Sequence, residues 1–453
     1  GVGQVSVCGL GGGAGVSVPG GEQGGSSGAA RRRAVRRYWT GLWLCYVALI
    51  VYGSLFPWRG WLRPNTGGWG STWDGLLAGL SGHISTTDVV SNVLVYLPLG
   101  GMWAVRSLGR RRGGWLLVQA ALLGTLLSIG MELAQRWMPG RVPSLSDVLA
   151  NGVGATVGAV LVMVTGTTGG WGARVRHLRQ RWGFTDPEAD LALAAIGLWA
   201  AAQLAPFVPS LDLSNVKAGL RPVERVVRGE VGMEPGHALA YLFAVLVVVA
   251  LWGLVLANRR QAVGVATAMV AAVLLLKVVV VGRQLSLEAL AGASVALGAA
   301  AVVVARVAER WRLSRWVWVG VASLAAAYLV AGVRRGTGGA LHPMVWIPFG
   351  SSNLSLVGLE DTLEGVWWGM ALAALVASAT PSSHRRTPLW IGGAVAALFA
   401  LGIELLQRSI PGRYPDVTDA CLVVAGWGLA WAWLAAHTVS KSPVDRYAAS
   451  PRG

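Results

Sequence analysis

Apolar residues run in long blocks along this chain, and short connections rich in Arg, Gly and Pro separate them. The blocks fall near 38–57, 88–106, 115–137, 147–166, 191–209, 237–257, 262–281, 287–305, 316–333, 361–379, 388–408 and 419–437. Each holds roughly 17 to 23 residues, the length a helix needs to cross the hydrocarbon layer. The pattern predicts an all-α protein, a polytopic transmembrane helix bundle of about twelve spans whose backbone amides are satisfied within each helix. The first block follows the basic run Arg31–Arg37 without a small-residue cleavage site, so it is expected to be a retained helix. Residues 1–30 are Gly- and Ser-rich, show no helical pattern and begin without Met. They are expected to form a flexible tail from a truncated or misassigned gene start, with no function of their own.

The polar residues inside the blocks recur. MELAQRWMPGRVP at 131–143 returns as IELLQRSIPGRYP at 403–415, and the agreement continues through Asp147 and Asp419 and through Gly154 and Gly426. Asp88 corresponds to Asp361. A fainter echo lies between, where RQLSLEALAGASVALGA at 283–299 follows RVPSLSDVLANGVGATVGA at 141–159. Arg283, Ser286 and Leu287 there take the places of Arg141, Ser144 and Leu145, whereas Leu274 and Ala289 replace Glu132 and Asp147. The middle copy has lost those carboxylates and is expected to be structural. Similarity of this extent points to duplication. The chain is accordingly divided into a tail with a basic juxtamembrane segment (1–37), three four-helix units (38–170, 171–305 and 306–437) and a C-terminal tail (438–453). Four spans per unit return the chain to its starting side, so the units are expected to be parallel rather than inverted repeats.

In the first unit Asp88 and Asn92 stand four apart, Glu132 and Gln135 three apart, and Asp147 and Asn151 four apart, so each pair shares a helix face. Arg141 sits in the connection before the unit's last helix. All lie toward one membrane surface, where ionisable groups are costly unless they face the bundle, find partners or line a wet cavity. The last unit repeats Asp361, Glu404, Gln407, Arg413 and Asp419, with Gly365 and Val423 in the places of Asn92 and Asn151. These twelve polar residues are the candidate ligand-binding set.

The pattern resembles the VanZ-like family, in which an Asp and Asn precede an apolar Pro-Leu-Gly helix and are followed by Glu-x-x-Gln, an Arg, and Asp-x-x-x-Asn leading into a Gly-rich helix. The matching text is DVVSNVLVYLPLG at 88–100 and ELAQRWMPGRVPSLSDVLANGVGATVGA at 132–159, and the resemblance covers 38–166 well and 316–437 moderately. It implies a bacterial membrane protein linked to the cell envelope and to reduced susceptibility to the glycopeptide teicoplanin. No settled reaction comes with it, and an enzymatic role is not expected.

The same residues have a structural alternative. Ser144-x-x-Asp147, Ser85-x-x-Asp88 and Asp416-x-x-Asp419 read as capping boxes, and a Glu132–Arg141 pair would hold the outer hairpin together. Gly152, Gly154 and Gly158 suit close helix packing. If the set is instead a site, its acids outnumber Arg141. A divalent cation or a protonated Glu would relieve that surplus, and with a metal bound the cluster would accept a lipid-linked phosphate.

Charge adds orientation. The chain carries a net +17, but about two-thirds of its Lys and Arg fall at the termini and in alternate connections, around Arg31–Arg37, Arg110–Arg112, Arg174–Arg181, Arg259–Arg260, Arg306–Arg315 and Arg385–Arg386. Both termini are therefore expected on the cytoplasmic side of the bacterial membrane. The basic loops meet anionic headgroups, so nucleic acid is not needed as a partner. Many of the 23 Trp, including Trp39, Trp58, Trp61, Trp115, Trp137, Trp316 and Trp390, lie near block ends, where the ring favours the headgroup layer.

Cys8, Cys45 and Cys421 give neither a disulfide framework nor a metal spacing. The six His are dispersed, and no phosphate-binding GxxxxGK[ST] occurs. No resident metal or cofactor is expected. Lys277 lies about one turn from the outer end of its block and can snorkel to the surface. The long outer segments 206–236 and 340–360 suit either loop packing or a cover over the polar site, and the first of them holds Leu220, Val223, Val226 and Val227 on one side of a short interfacial helix. Three functions remain open: binding of a lipid-linked or wall-derived ligand, transport or flipping of a small or lipid-linked substrate, and non-catalytic scaffolding.

Overall fold

The computed structural model describes residues 23–55, 86–107, 113–138, 144–166, 177, 186–205, 207, 209–256, 258–307, 313–334, 336, 339–349, 356–381 and 386–438. Among them the chain forms helices α1 (Gln23–Ser54), α2 (Thr86–Ser107), α3 (Gly113–Gln135), α4 (Leu145–Gly166), α5 (Pro187–Leu204), α6 (Leu213–Val227) and α7 (Pro235–Val255). There follow α8 (Arg259–Val279), α9 (Leu287–Val307), α10 (Leu313–Val333), α11 (Leu356–Ala379), α12 (Arg386–Gln407) and α13 (Val417–Thr438). Every apolar block coincides with one of these helices, and α6 is the additional short one.

Ten of the helices are long and apolar enough to cross a membrane, and the chain is a multi-pass membrane protein of α-helical class. Two expected spans, α1 and α5, do not reach that measure within the described residues. α5 is short and opens on Glu188 and Asp190. It lies between α7 and α11, with Leu191, Ala192, Ala195, Ile196, Trp199 and Ala202 all buried. That face packs on protein, where small residues allow close approach. α1 begins at Gln23, earlier than expected for a tail reaching residue 30, and takes in the Arg31–Arg37 run. Arg and Ala are strong helix formers and extend the span into water.

Close packing is set by glycines. A Cβ at Gly154 of α4 would come 2.4 Å from the Val93 carbonyl oxygen of α2, and one at Gly426 of α13 would come 2.1 Å from that of Val366 in α11. In each pair the backbones touch, which maximises dispersion where lipid removes any hydrophobic drive for association. Gly292 of α9 meets the Ala238 carbonyl of α7 in the same manner. The main core joins α5, α7, α8, α9, α10, α11 and α13 around Trp199, Val248, Leu251, Trp367 and Leu375. The exterior is apolar, with Leu126, Leu275, Trp390 and Leu398 more than half exposed, as a bilayer environment requires.

The long connections after α5 and α10 dock onto the bundle. Residues 340–349 lie along the α12–α13 connection, where Gly412 N–H donates to the Ala340 carbonyl at 2.7 Å and Val417 N–H to that of Val345 at 3.0 Å. The first of these connections forms α6, fixed by the Leu285 N–H to the Gly219 carbonyl at 2.8 Å, with Leu213 and Val227 strongly exposed. α1 reaches the third segment through the Tyr52 hydroxyl, which donates to the Pro348 carbonyl at 2.6 Å.

Candidate functional site

The hairpin between α12 and α13 determines which acids are available for chemistry. Asp416, at the N-cap of α13, accepts the Thr418 N–H at 2.8 Å and also the Thr418 hydroxyl, the usual work of a capping carboxylate. In a capping box the acid three residues on would take the N-cap's own N–H. Here Glu404 does so from α12, its Oε2 accepting the Asp416 N–H at 2.9 Å. The Asp416–Asp419 box is thus not closed by Asp419, whose carboxylate is left without a capping role. The α3–α4 hairpin has the same arrangement, with Glu132 Oε2 accepting the Ser144 N–H at 2.9 Å. Glu132 and Glu404 are both buried, and each stands twelve residues before the amide it holds.

The arginines of the hairpins reach a helix end. Arg413 donates from Nε to the Arg334 carbonyl at 3.0 Å and from Nη2 to the Ala331 carbonyl, both at the C-terminus of α10. Arg283 donates to the Ala202 and Ala205 carbonyls at the C-terminus of α5, and pairs with Glu360 through Nη1. A cation at a helix C-terminus satisfies orphan carbonyls and complements the dipole. Burial and the neighbouring Arg334 push the Arg413 guanidinium below its ordinary pKa.

These arrangements surround a cavity of about 960 Å³ between α5, α7, α10, α11, α12 and α13. It gathers the predicted Asp361, Glu404, Gln407, Arg413 and Asp419, and adds Glu234, His237, Arg334, Glu360, Glu364 and Asp416. Trp199, Tyr241, Tyr328, Trp367 and Trp368 form aromatic wall. Asp361, Glu364 and Asp419 make no hydrogen bond or ion pair with the described residues, although Glu364 feels the charges of Glu360, Asp361, Asp419 and Lys277. Among the described residues no three His, Cys, Asp or Glu side chains converge closely enough to hold a metal ion.

Among the described residues of the first unit, none lines this cavity. Asn151 Nδ2 donates to Ser128 Oγ at 2.8 Å and Gln135 Nε2 to the Ser54 carbonyl at 2.9 Å, so both bind helices together. Asp147 is half-buried at the start of α4, and Asn92 is half-buried on α2. Arg141, Ser85 and the side chain of Asp88 lie outside the described residues, and so do the Glu132–Arg141 pair and the first capping box.

Polar groups in and behind the cavity wall were missed from sequence. Lys277 is 4% exposed and does not snorkel: its Nζ donates to Gln203 Oε1 at 2.6 Å and to the Tyr241 hydroxyl at 2.5 Å, two residues of the cavity wall. The middle segment therefore contributes polar chemistry. The signal was available, since Lys277 follows Leu274 by three positions as Gln135 follows Glu132. Glu364 was visible as the third acid of α11, one turn after Glu360 and Asp361.

No curated protein and no solved structure matches the chain. A family model does: residues 41–166, which hold α2 to α4 and most of the apolar part of α1, match VanZ/LLP1, and over that stretch the chain is VanZ-like.

Proposed function

We propose that this VanZ-like protein binds a lipid-linked or wall-derived ligand of the bacterial cell envelope in the cavity bounded by α10 to α13, α5 and α7. The observation that carries this is the release of Asp419 from capping duty by Glu404, so that its carboxylate lines the cavity, as do those of Asp361 and Glu364, without a hydrogen bond or ion pair among the described residues. Unpaired acids in a membrane bundle cost free energy and are retained where they meet a ligand. With both termini in the cytoplasm, the cavity opens on the outer face, where envelope precursors lie and where an effect on glycopeptide susceptibility would arise. The acids gather at one end of the helices rather than along them, which favours binding over passage through the membrane. The first segment would act mainly as a scaffold, its Asn151 and Gln135 being engaged in holding helices together.

The test is native mass spectrometry of the purified protein against an Asp361→Asn, Asp419→Asn variant. A co-purified envelope species present in the wild type and lost in the variant supports the reading. A species retained in both, or none in either, overturns it.

A further inference from the structure

α6 presents two unlike stripes that nothing among the described residues covers. Its buried side is narrow. Gly219 lies against Val278 of α8, its carbonyl accepts the Leu285 N–H at 2.8 Å, and Asn215 Nδ2 donates to the Val279 carbonyl at 3.3 Å. Beside that contact Leu213, Leu220 and Val227, seven positions apart, share one face and stand 68%, 41% and 72% exposed. Val223 and Val226, expected on the same apolar side, are half-buried instead. The next face carries Lys217, Arg221 and Arg225, four positions apart, followed by Arg228, and all four are exposed. Arg228 pairs with Glu224 at 2.5 Å and Arg225 with Glu230 at 3.6 Å, whereas Lys217 and Arg221 make no ion pair with the described residues.

The depth of the helix follows from α8. Leu275 and Leu276 there are exposed, and in a spanning helix such residues meet acyl chains. Leu276 precedes Val279, the residue that holds Asn215, by three positions, or about 5 Å along the axis. α6 therefore lies at the margin of the hydrocarbon layer, at the end of the bundle where Arg283 meets Glu360. We propose that α6 is a membrane-surface helix that gathers anionic phospholipid: Leu213, Leu220 and Val227 enter the acyl boundary while Lys217 and Arg221 take headgroup phosphates. Charge complementarity selects that occupant. Three apolar side chains also offer well under the roughly 800 Å² that each partner of a stable protein complex buries, and they continue the lipid-facing side of α8.

A dye that brominated acyl chains quench, attached to Leu220→Cys in a full chain carrying Cys8→Ser, Cys45→Ser and Cys421→Ser, tests this in nanodiscs. The bilayer is an equal mixture of phosphatidylcholine and phosphatidylglycerol, with bromine on the chains of one or the other. The dye at position 220 should be quenched, and the same dye at Ala218→Cys, on the far side of the helix, much less. One basic residue near the surface favours an anionic lipid about fivefold, so brominated phosphatidylglycerol should quench at least about twofold more than brominated phosphatidylcholine. Lys217→Gln with Arg221→Gln should equalise the two lipids and leave the chain's thermal transition in place. A dye at position 220 that bromine does not reach shows the stripe covered by protein and overturns the proposal. Equal quenching by the two lipids in the parent, or a preference that survives in the glutamine variant, overturns it as well.

Discussion

Glu404 Oε2 accepts the backbone N–H of Asp416 at 2.9 Å, and both residues are buried. This bond closes the α12–α13 hairpin, and Glu132 closes the α3–α4 hairpin on Ser144 at the same distance. Glu404→Ala should lower stability by about 1–3 kcal/mol, because a buried amide loses its acceptor. Glu404→Gln keeps an oxygen in place and should cost less. Thermal unfolding in detergent gives the order, and equal loss for both variants would contradict the assigned bond.

Asp416 and Asp419, three positions apart, should respond in opposite ways. Asp416→Ala removes an N-cap and should destabilise by about 1 kcal/mol. Asp419→Asn removes a charge that has no capping partner, so stability should hold or rise while ligand binding falls. Unfolding and binding measured on the same two variants distinguish capping from recognition at this helix start.

Arg283 and Arg413 should not tolerate lysine. Each guanidinium spans two carbonyls of a helix C-terminus, and a single ammonium cannot reproduce that fork. Loss of one such bond in either Arg→Lys variant is expected to cost about 1–2 kcal/mol, read as a lowered melting temperature.

Gly426→Val and Gly154→Val should both separate packed helices, since even a Cβ would intrude on the Val366 or Val93 carbonyl. Overpacking of this kind costs about 1–3 kcal/mol. Cysteine pairs placed across α11 and α13 should cross-link less efficiently in Gly426→Val than in the parent.

Lys277→Met takes a charged buried donor from Gln203 Oε1, which keeps only the Tyr241 hydroxyl at 3.1 Å, and from the Tyr241 hydroxyl itself. A loss of about 1–3 kcal/mol is expected. Lys277→Gln should recover part of it, because an amide can still donate to Gln203. If methionine were as stable as lysine, the amine would be snorkelling as its position near the helix end first suggested.

The span pattern was legible because a transmembrane helix is a local object: a run of apolar residues long enough to cross hydrocarbon forms its hydrogen bonds within itself. Every expected block became a helix on that ground. The two that missed the spanning measure show the limit of the rule. α5 trades apolarity for small residues along the face it packs on α7 and α11, and α1 gains length from Arg and Ala ahead of its apolar part. The pairing of Glu132 with Gln135 and of Glu404 with Gln407 was likewise readable, since residues three apart share a helix face.

The sequence by itself determined the spans, the VanZ-like stretch and the identities of the hairpin acids and arginines. Only the tertiary structure decided their tasks. A capping box read from Asp416 and Asp419 assumes that the N-cap amide turns to its own helix, yet Glu404 arrives from α12 and takes it, freeing Asp419 for the cavity. The cavity itself is walled by α5 and α7 from one expected unit and α10 to α13 from the next, and Lys277 from α8 braces its wall. No period along the chain encodes such a meeting. It depends on how close the backbones come at Gly292 and Gly426, and so on packing between helices that lie far apart in sequence.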